Sequence, residues 1–351
     1  MSHDRGRDLT RDITQMRRAL AAAALGPAAD VNPRVGCVLV DADGQVVATG
    51  HHRGAGTPHA EADALARAGG RARGGTVYVT LEPCHHRGRT GPCAAALLDA
   101  GVRRVVLSVE DPHPTAGGGG DWLAARGVRV DRGLLAPEAE ALNRTWLHRQ
   151  RTGRPFVTWK VATTLDGRTA AQDGSARWIT GALARADVHR LRGRCGAVVV
   201  GTGTALADRP SLTVRDPRTD EPVEGPQPLR VVVGLRETPP LPGEGDASAP
   251  PVLRLPARDP RVVLDVLSEQ EIHHVLLEGG PTLAAAFWDA GVVDEVVAYV
   301  APALLGAGPT AVADLGRCTI AKALRLRPSD VTRLGDDIRI TAQPLSEKEI
   351  D

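Results

Sequence analysis

Between residues 10 and 25, Ile13, Met16, Leu20 and Ala24 recur at helical spacing, and Gly26-Pro27 ends the run, which predicts an opening helix. Two apolar stretches, 35–41 and 45–49, flank Ala42-Asp43-Gly44 and predict a hairpin. Residues 59–68 predict a helix stopped by Gly69-Gly70, and 76–81 (TVYVTL) a buried strand that leads into a cysteine-bearing loop. A helix over 93–100, a strand over 103–109, a helix near 120–126, a strand near 128–130 and a helix over 137–150 continue the alternation. Strands alternating with helices imply a layered α/β domain around a central sheet.

The polar stretch 151–155 (RTGRP) breaks the pattern and predicts a domain boundary, giving domains over 1–150 and 151–351. The second half restarts with a strand at 156–162, an amphipathic helix at 182–192 and an apolar strand at 197–200 that runs into a loop, Gly201-Thr202-Gly203-Thr204. Residues 216–228 and 237–251 are rich in Pro, Gly, Asp and Glu and predict surface loops around a strand at 229–233. A helix near 260–268, a strand at 273–277, the turn Glu278-Gly279-Gly280-Pro281, a helix at 282–290 and strands near 294–300 and 336–341 complete the reading.

At 351 residues the chain is long for a single core, so two domains are expected on size as well. The formal net charge is +1 and the arginines are dispersed among acids, so no basic face for nucleic acid is expected. Aromatic residues make up 3%, too few for stacking bases, which also argues against a nucleic-acid deaminase. No apolar run approaches the roughly 20 residues of a membrane span, and no apolar core follows the charged start. Five cysteines, odd in number and sparse, fit a reducing, cytoplasmic setting in which thiols bind metal.

The chemistry concentrates in His59-Ala60-Glu61, Pro83-Cys84 and Cys93. One histidine and two cysteines hold a single Zn²⁺ by three ligands and leave the fourth tetrahedral position for water. Glu61, two residues past the histidine, is placed to move that water's protons rather than to bind metal, the division of labour of zinc deaminases. A lone His-x-Glu is common and single cysteines usually pack in cores, and a closed structural zinc site is the bland alternative. The combination is sharper, because the histidine opens a helix and Pro-Cys follows a strand. The general deaminase pattern is Pro-Cys-x-x-Cys, whereas eight residues separate Cys84 from Cys93.

That departure points to a family. Asn32-Pro33-x-Val35-Gly36, His52-x₆-His59-Ala60-Glu61 and Glu82-Pro83-Cys84-x₈-Cys93 resemble the deaminase half of the bifunctional riboflavin-biosynthesis deaminase/reductases. Lys160-x₄-Leu165-Asp166-Gly167-Arg168, Trp178-Ile179-Thr180-Gly181, Asp187-Val188-His189-x-Leu191-Arg192, Val200–Thr204 and Glu278–Leu283 resemble its reductase half, in the family's order. The resemblance implies a cytidine-deaminase-like three-layer domain followed by a dihydrofolate-reductase-like domain. It implies hydrolysis of the ring amine of 2,5-diamino-6-ribosylamino-4(3H)-pyrimidinone 5′-phosphate, then NADPH reduction of the ribosyl group to ribityl. A homodimer through the reductase domain is a further expectation.

By the same resemblance, Asn32 and His52 contact the pyrimidine, and His85, His86, Arg87 and Arg89 are placed to meet its phosphate. Lys160, Arg192, Leu212, Arg215 and Glu278 are expected at the reductase substrate, the arginines as phosphate grips. Ala162, Trp178, Thr204, Asp208, Gly279, Gly280, Pro281 and Thr282 are expected at NADPH. No G-x-G-x-x-G follows a strand, but Gly279–Thr282 opens a helix whose dipole suits a diphosphate. Asp63, Ala176 and Arg209 stand where the family commonly has histidine, serine and a second aspartate. A deaminase carrying a non-catalytic reductase-like half, and a zinc-stabilised binding protein, are the competing readings.

Overall fold

Alternation along Gly36–Val40 sends Cys37 and Leu39 to one face and Val38 and Val40 to the other, and all four are buried. A strand apolar on both faces must be covered on both, which dictates a three-layer arrangement. The computed structural model describes residues 2–86, 91–247 and 249–345. The chain divides into two compact units, Met1–Gly153 and Arg154–Asp351.

The first unit runs α1 (Ser2–Ala23), β1 (Gly36–Val40), β2 (Val46–His51), α2 (Ala60–Ala68), β3 (Thr76–Leu81) and α3 (Cys93–Asp99). It continues with β4 (Arg104–Val109), α4 (Gly119–Ala124), β5 (Arg129–Arg132), α5 (Ala136–Leu142) and α6 (Arg144–Thr152). The sheet order is β2-β1-β3-β4-β5; β1 pairs antiparallel with β2 and β3, and the remaining pairs are parallel. Alanines of α2 and α3 pack with Leu97 and Leu123 on the Cys37 face, while Met16 and Ala19 of α1 cover Val38, Tyr78 and Val106.

The helix expected over 137–150 is two helices, broken at Asn143. The Asn143 side chain is recruited elsewhere: Oδ1 accepts from the Arg34 backbone N–H (2.8 Å), and Nδ2 donates to the Arg34 carbonyl (2.9 Å). Trp146 and Leu147 beyond the break pack against Leu81 and Val109.

The second unit runs β6 (Phe156–Thr164), α7 (Ala182–Arg192), β7 (Ala197–Gly201), α8 (Thr202–Asp208), β8 (Leu229–Val233) and β9 (Val252–Leu255). Then come α9 (Pro260–Glu269), β10 (His274–Leu277), α10 (Pro281–Asp289), β11 (Glu295–Ala301), β12 (Leu326–Leu334) and β13 (Asp337–Pro344). The sheet order is β12-β13-β11-β6-β10-β7-β8-β9, parallel from β11 to β9 and antiparallel at the other edge. Val263, Leu264 and Leu267 of α9 and Ala284 and Phe287 of α10 cover one face; Ala184 and Val188 of α7 cover Val297 and Tyr299 on the other.

Three elements depart from the sequence reading. Gly201–Thr204 is not a loop: Gly201 caps α8 and Thr202 begins it. β9 (VLRL) emerges just past the stretch 237–251 read as loop, where no element was expected, and β12 at the sheet edge is almost wholly exposed, so it shows no buried apolar face.

Candidate active sites

The metal-binding cluster is positioned by two close backbone approaches. A Cβ on Gly50 of β2 would lie 2.3 Å from the Ala60 carbonyl oxygen, so only glycine lets α2 press this tightly onto the sheet. A Cβ on Gly119 would lie 1.9 Å from the Pro83 carbonyl oxygen, which fixes the Pro-Cys turn against α4. Glu82 locks the same turn from below. Its Oε2 accepts from the Asp111 and Gly118 amides (3.1 Å each), and its Oε1 accepts from Gly120 (2.8 Å). This organising role was not read from the sequence, where Glu82 figured only as a motif letter.

His59 stands at the N-cap of α2 rather than within its first turn, in extended conformation (φ −65°, ψ 159°), and Glu61 lies buried in that turn. Cys84 follows β3, and Cys93 opens α3. His59 Nδ1 lies 3.6 Å from Cys84 Sγ and 3.4 Å from Cys93 Sγ, and the three candidate ligand atoms all fall within 4.8 Å of one another. Zn–S bonds of about 2.3 Å and Zn–N bonds of about 2.0–2.1 Å give a tetrahedron with sulfur–nitrogen edges of about 3.6 Å. The three residues therefore fit zinc in both chemistry and spacing. Among the described residues this is the one cluster of three such ligands.

The electrostatics suit a cation. A hydrogen bond from Cys93 lowers Cys84 to about 4, helped by His59 and by the Cys93 backbone N–H at 3.4 Å. The same sulfur–sulfur contact, with burial, holds Cys93 up. Burial, then the charge on Cys84, raises Glu61 to about 7.

Beside the cluster, His52 donates from Nδ1 to the Pro58 carbonyl (3.1 Å), which leaves Nε2 to accept from Asn32 Nδ2 (3.1 Å). The His52 and His59 rings meet edge-on with centroids 5.5 Å apart, so Asn32 and His52 lie beside the metal cluster. His85 stacks on Trp122 at 5.0 Å, and His86 is exposed. Arg87 and Arg89 lie outside the described residues. Asp63 is engaged by two arginines: it pairs with Arg53 (3.2 Å) and Arg67 (3.1 Å).

In the second unit, Arg192 of α7 grips Glu278 at the end of β10 through Nε–Oε1 (2.6 Å) and Nη2–Oε2 (2.9 Å). Lys160 Nζ of β6 lies 3.8 Å from Glu278 Oε2. Burial lowers Lys160, whereas Arg192 and Lys160 together overcome the burial of Glu278 and hold it at about 2. Arg192 Nη1 also donates to the Thr213 carbonyl (3.0 Å), tying in the segment that carries Leu212 and Arg215. Leu212 is fully buried at φ 55° and serves as a packing anchor for that segment. The Arg215 amide donates to His189 Nδ1 (3.1 Å), while its guanidinium binds the Asp220 carbonyl, Ser211 and Thr213. His189 was not singled out from the sequence; its place here follows from sitting one turn before Arg192 on α7.

Some of the expected cofactor residues also come together. Gly280 caps α10, with Pro281 and Thr282 in its first turn, and a Cβ on Gly280 would lie 3.5 Å from Thr204 Oγ1 of α8. The Glu278 amide donates to the Val199 carbonyl (2.9 Å), so the openings of α8 and α10 stand side by side beyond the C-terminal ends of β7 and β10. Free N–H groups at a helix start suit a diphosphate, so these residues fit a dinucleotide. Ala162 lies on β6 two residues past Lys160 and packs against the α7 cluster. Asp208 ends α8, and its carbonyl accepts from Arg177 (3.3 Å), next to Trp178, which is 69% exposed and has Arg185 4.5 Å over its ring. Of the departures, Ala176 is half-buried, and Arg209 adopts φ 43° and donates to the Pro240 carbonyl (3.4 Å).

Comparison with known proteins agrees with this division. Residues 9–109 match the cytidine and deoxycytidylate deaminase zinc-binding region, and residues 155–340 match the RibD C-terminal domain. The chain is 48% identical over 310 residues to the riboflavin biosynthesis protein RibD of Mycobacterium tuberculosis H37Rv, covering 88% of this chain and 90% of that one. It is 41% identical over 359 residues to RibD of Escherichia coli K12, covering 93% and 98%. Among solved structures, Acinetobacter baumannii RibD superposes with a TM-score of 0.88 at 39% identity, covering 96% of this chain and all of that one. The diaminohydroxyphosphoribosylaminopyrimidine deaminase/5-amino-6-(5-phosphoribosylamino)uracil reductase of Thermotoga maritima superposes at 0.85 with 30% identity, over 96% and 100%.

Proposed function

Since this chain belongs to the RibD family of bifunctional riboflavin-biosynthesis enzymes, we propose which of its residues carry each of the two reactions. The enzyme is a deaminase and a reductase, with a zinc-binding cytidine-deaminase-like domain and an NADPH-dependent domain of dihydrofolate-reductase-like fold. We assign deamination to the first unit and reduction to the second, with 2,5-diamino-6-ribosylamino-4(3H)-pyrimidinone 5′-phosphate as the starting substrate.

In the first unit His59, Cys84 and Cys93 would hold the zinc. When bound, zinc supplies the Lewis acidity that makes water a nucleophile near neutral pH. Glu61 takes the proton that the attacking water gives up and delivers it to the ring amine as the carbon–nitrogen bond breaks and ammonia leaves. Its place two residues past His59 in the first turn of α2, buried and outside the ligand set, supports that role. Asn32 and His52 orient the pyrimidine, and the fixed His52 tautomer lends the pair its rigidity.

In the second unit NADPH, when bound, supplies the hydride. Gly279–Thr282 and Thr204 would cradle its diphosphate, and Ala162, Trp178 and Asp208 line its path. Lys160, Glu278 and Arg192 bind the sugar phosphate end of the substrate, with Leu212 and Arg215 shaping the segment beside them. Two of the five N–H groups of Arg192 grip Glu278 and one binds Thr213, so two are left to meet a substrate oxygen.

The substrates are small pyrimidine phosphates, and no helix among the described residues is long and apolar enough to cross a membrane. Assembly as a homodimer through the reductase unit and residence in the cytoplasm complete the proposal. The convergence of His59, Cys84 and Cys93 with Glu61 beside them carries the reading. Metal content measured together with ammonia release and NADPH oxidation on the diaminopyrimidine phosphate tests it. A metal-loaded protein that releases no ammonia overturns the deaminase assignment, and one that releases ammonia without oxidising NADPH overturns the reductase assignment.

A further inference from the structure

Arg236 leaves the end of β8 as an exposed cation whose charge no acid among the described residues answers. Its Nε donates to Thr202 Oγ1 (3.4 Å), and its Nη2 lies 3.2 Å from where a Cβ of Gly203 would stand. No carboxylate stands within ion-pair distance of Arg236 among the described residues, although Glu237 follows it in the chain. The contrast with its neighbour is direct: Arg254 of the adjacent β9 is clasped by Glu244. Gly234, between β8 and Arg236, has φ 133°, and a Cβ there would lie 2.8 Å from Thr202 Oγ1. Only glycine turns the chain back against Thr202 in this way, so the backbone itself places Arg236 beside the β7–α8 junction.

The sheet order says what passes this point. Lys160 lies midway along β6, level with Glu278 just past the end of β10, and the diphosphate cradle lies beyond β10 and β7. With the diphosphate held by Gly279–Thr282 and Thr204 beyond β10 and β7, the end of β8, next in the sheet, would be open to the adenosine half of NADPH. Strands are about 4.8 Å apart, so this step is short. Ribose hydroxyls of NADH call for a carboxylate at such a position, whereas a 2′-phosphate calls for arginine. We propose that Arg236, seated on Gly203 and braced by Thr202, grips the 2′-phosphate of NADPH and sets the preference for NADPH over NADH. The inference rests on the reductase reading given above and adds the residue that discriminates between the two cofactors.

The test compares steady-state reduction by NADPH and by NADH in the wild-type enzyme, R236Q and R236K, with inhibition by 2′,5′-ADP and 5′-AMP as a second measure. R236Q is expected to raise KM for NADPH on the order of 10- to 100-fold, the usual worth of a hydrogen bond to a charged group, while KM for NADH holds. R236K is expected to recover part of the preference, and 2′,5′-ADP to lose its advantage over 5′-AMP in R236Q alone. An R236Q enzyme that keeps the wild-type preference, or that loses both cofactors equally, overturns the proposal. A wild-type enzyme that binds neither dinucleotide overturns the reductase reading, and this inference with it.

Discussion

Arg192 meets Glu278 through two parallel hydrogen bonds, Nε–Oε1 at 2.6 Å and Nη2–Oε2 at 2.9 Å, so two residues expected to bind substrate separately are one unit. Burial alone would raise Glu278; Arg192 and Lys160 outweigh it and hold the carboxylate at about 2. The pair thus keeps Glu278 ionised across the working pH range.

Replacing Arg192 by alanine should lower kcat/KM of the reductase by about 10- to 100-fold, the loss expected for a charge-assisted contact, and leave ammonia release intact. The sign of the pH effect follows. Without the guanidinium, Glu278 rises toward or above the ordinary carboxylate value of about 4.3 and protonates as pH falls. The variant should therefore gain an acid limb in its reduction profile that the wild type lacks; superimposable profiles would remove Glu278 from the chemistry.

Glu61→Gln keeps the shape of the first turn of α2 but removes the proton carrier. Zinc content should match the wild type while ammonia release falls by about 10²- to 10⁴-fold, the range for losing a general acid–base. Metal analysis beside an ammonia assay decides it, and substantial residual turnover would assign proton transfer to another group.

Cys84→Ser or Cys93→Ser removes one of three ligands from a cluster held within 4.8 Å. Either change should lose both metal and deamination, yet NADPH oxidation with already deaminated substrate should continue, because the reductase residues all lie in Arg154–Asp351. Loss of both activities together would show that the units depend on each other for folding.

The metal cluster was legible in the sequence because its chemistry is locally coded: the histidine stands at a helix start, and each cysteine adjoins an element of clear pattern. What escaped was set by partners distant in sequence. The break at Asn143 arises from its bonds to Arg34, 109 positions away, which no local periodicity announces. β12 carries Pro328, Ser329 and Asp330 and is mostly exposed, so only its pairing with β13 makes it a strand. α8 begins Thr-Gly-Thr, a poor helix former, and exists where β7 ends against Leu283 and Thr204 nears Gly280. The Arg192–Glu278 grip was equally hidden, since a separation of 86 positions leaves only family likeness to suggest a shared site.

A last prediction concerns the frame that carries the metal cluster. Asp12 of α1 accepts from Tyr78 Oη (2.6 Å) on β3, and from Arg104 Nη1 (2.9 Å) and Nη2 (2.6 Å) on β4. The side chains of Asp12 and Arg104 are only 9% and 16% exposed, so the network is largely sheltered from solvent. Burial pushes Asp12 up, but the bonds from Arg104 and Tyr78 prevail and leave it below its ordinary value. A carboxylate depressed in the folded state adds stability at pH above its unfolded value of about 3.9, and that stability fades as pH falls through the folded value. Asp12→Asn should thus destabilise the first unit by about 1.5–3 kcal/mol near neutral pH, the worth of hydrogen bonds to a charged group, and by progressively less below about pH 4. Thermal inactivation of ammonia release, followed for both proteins at several pH values, measures the difference. Acid also strips metal from both proteins alike, so the gap between them isolates Asp12; a gap that stays constant with pH would mean its charge contributes nothing.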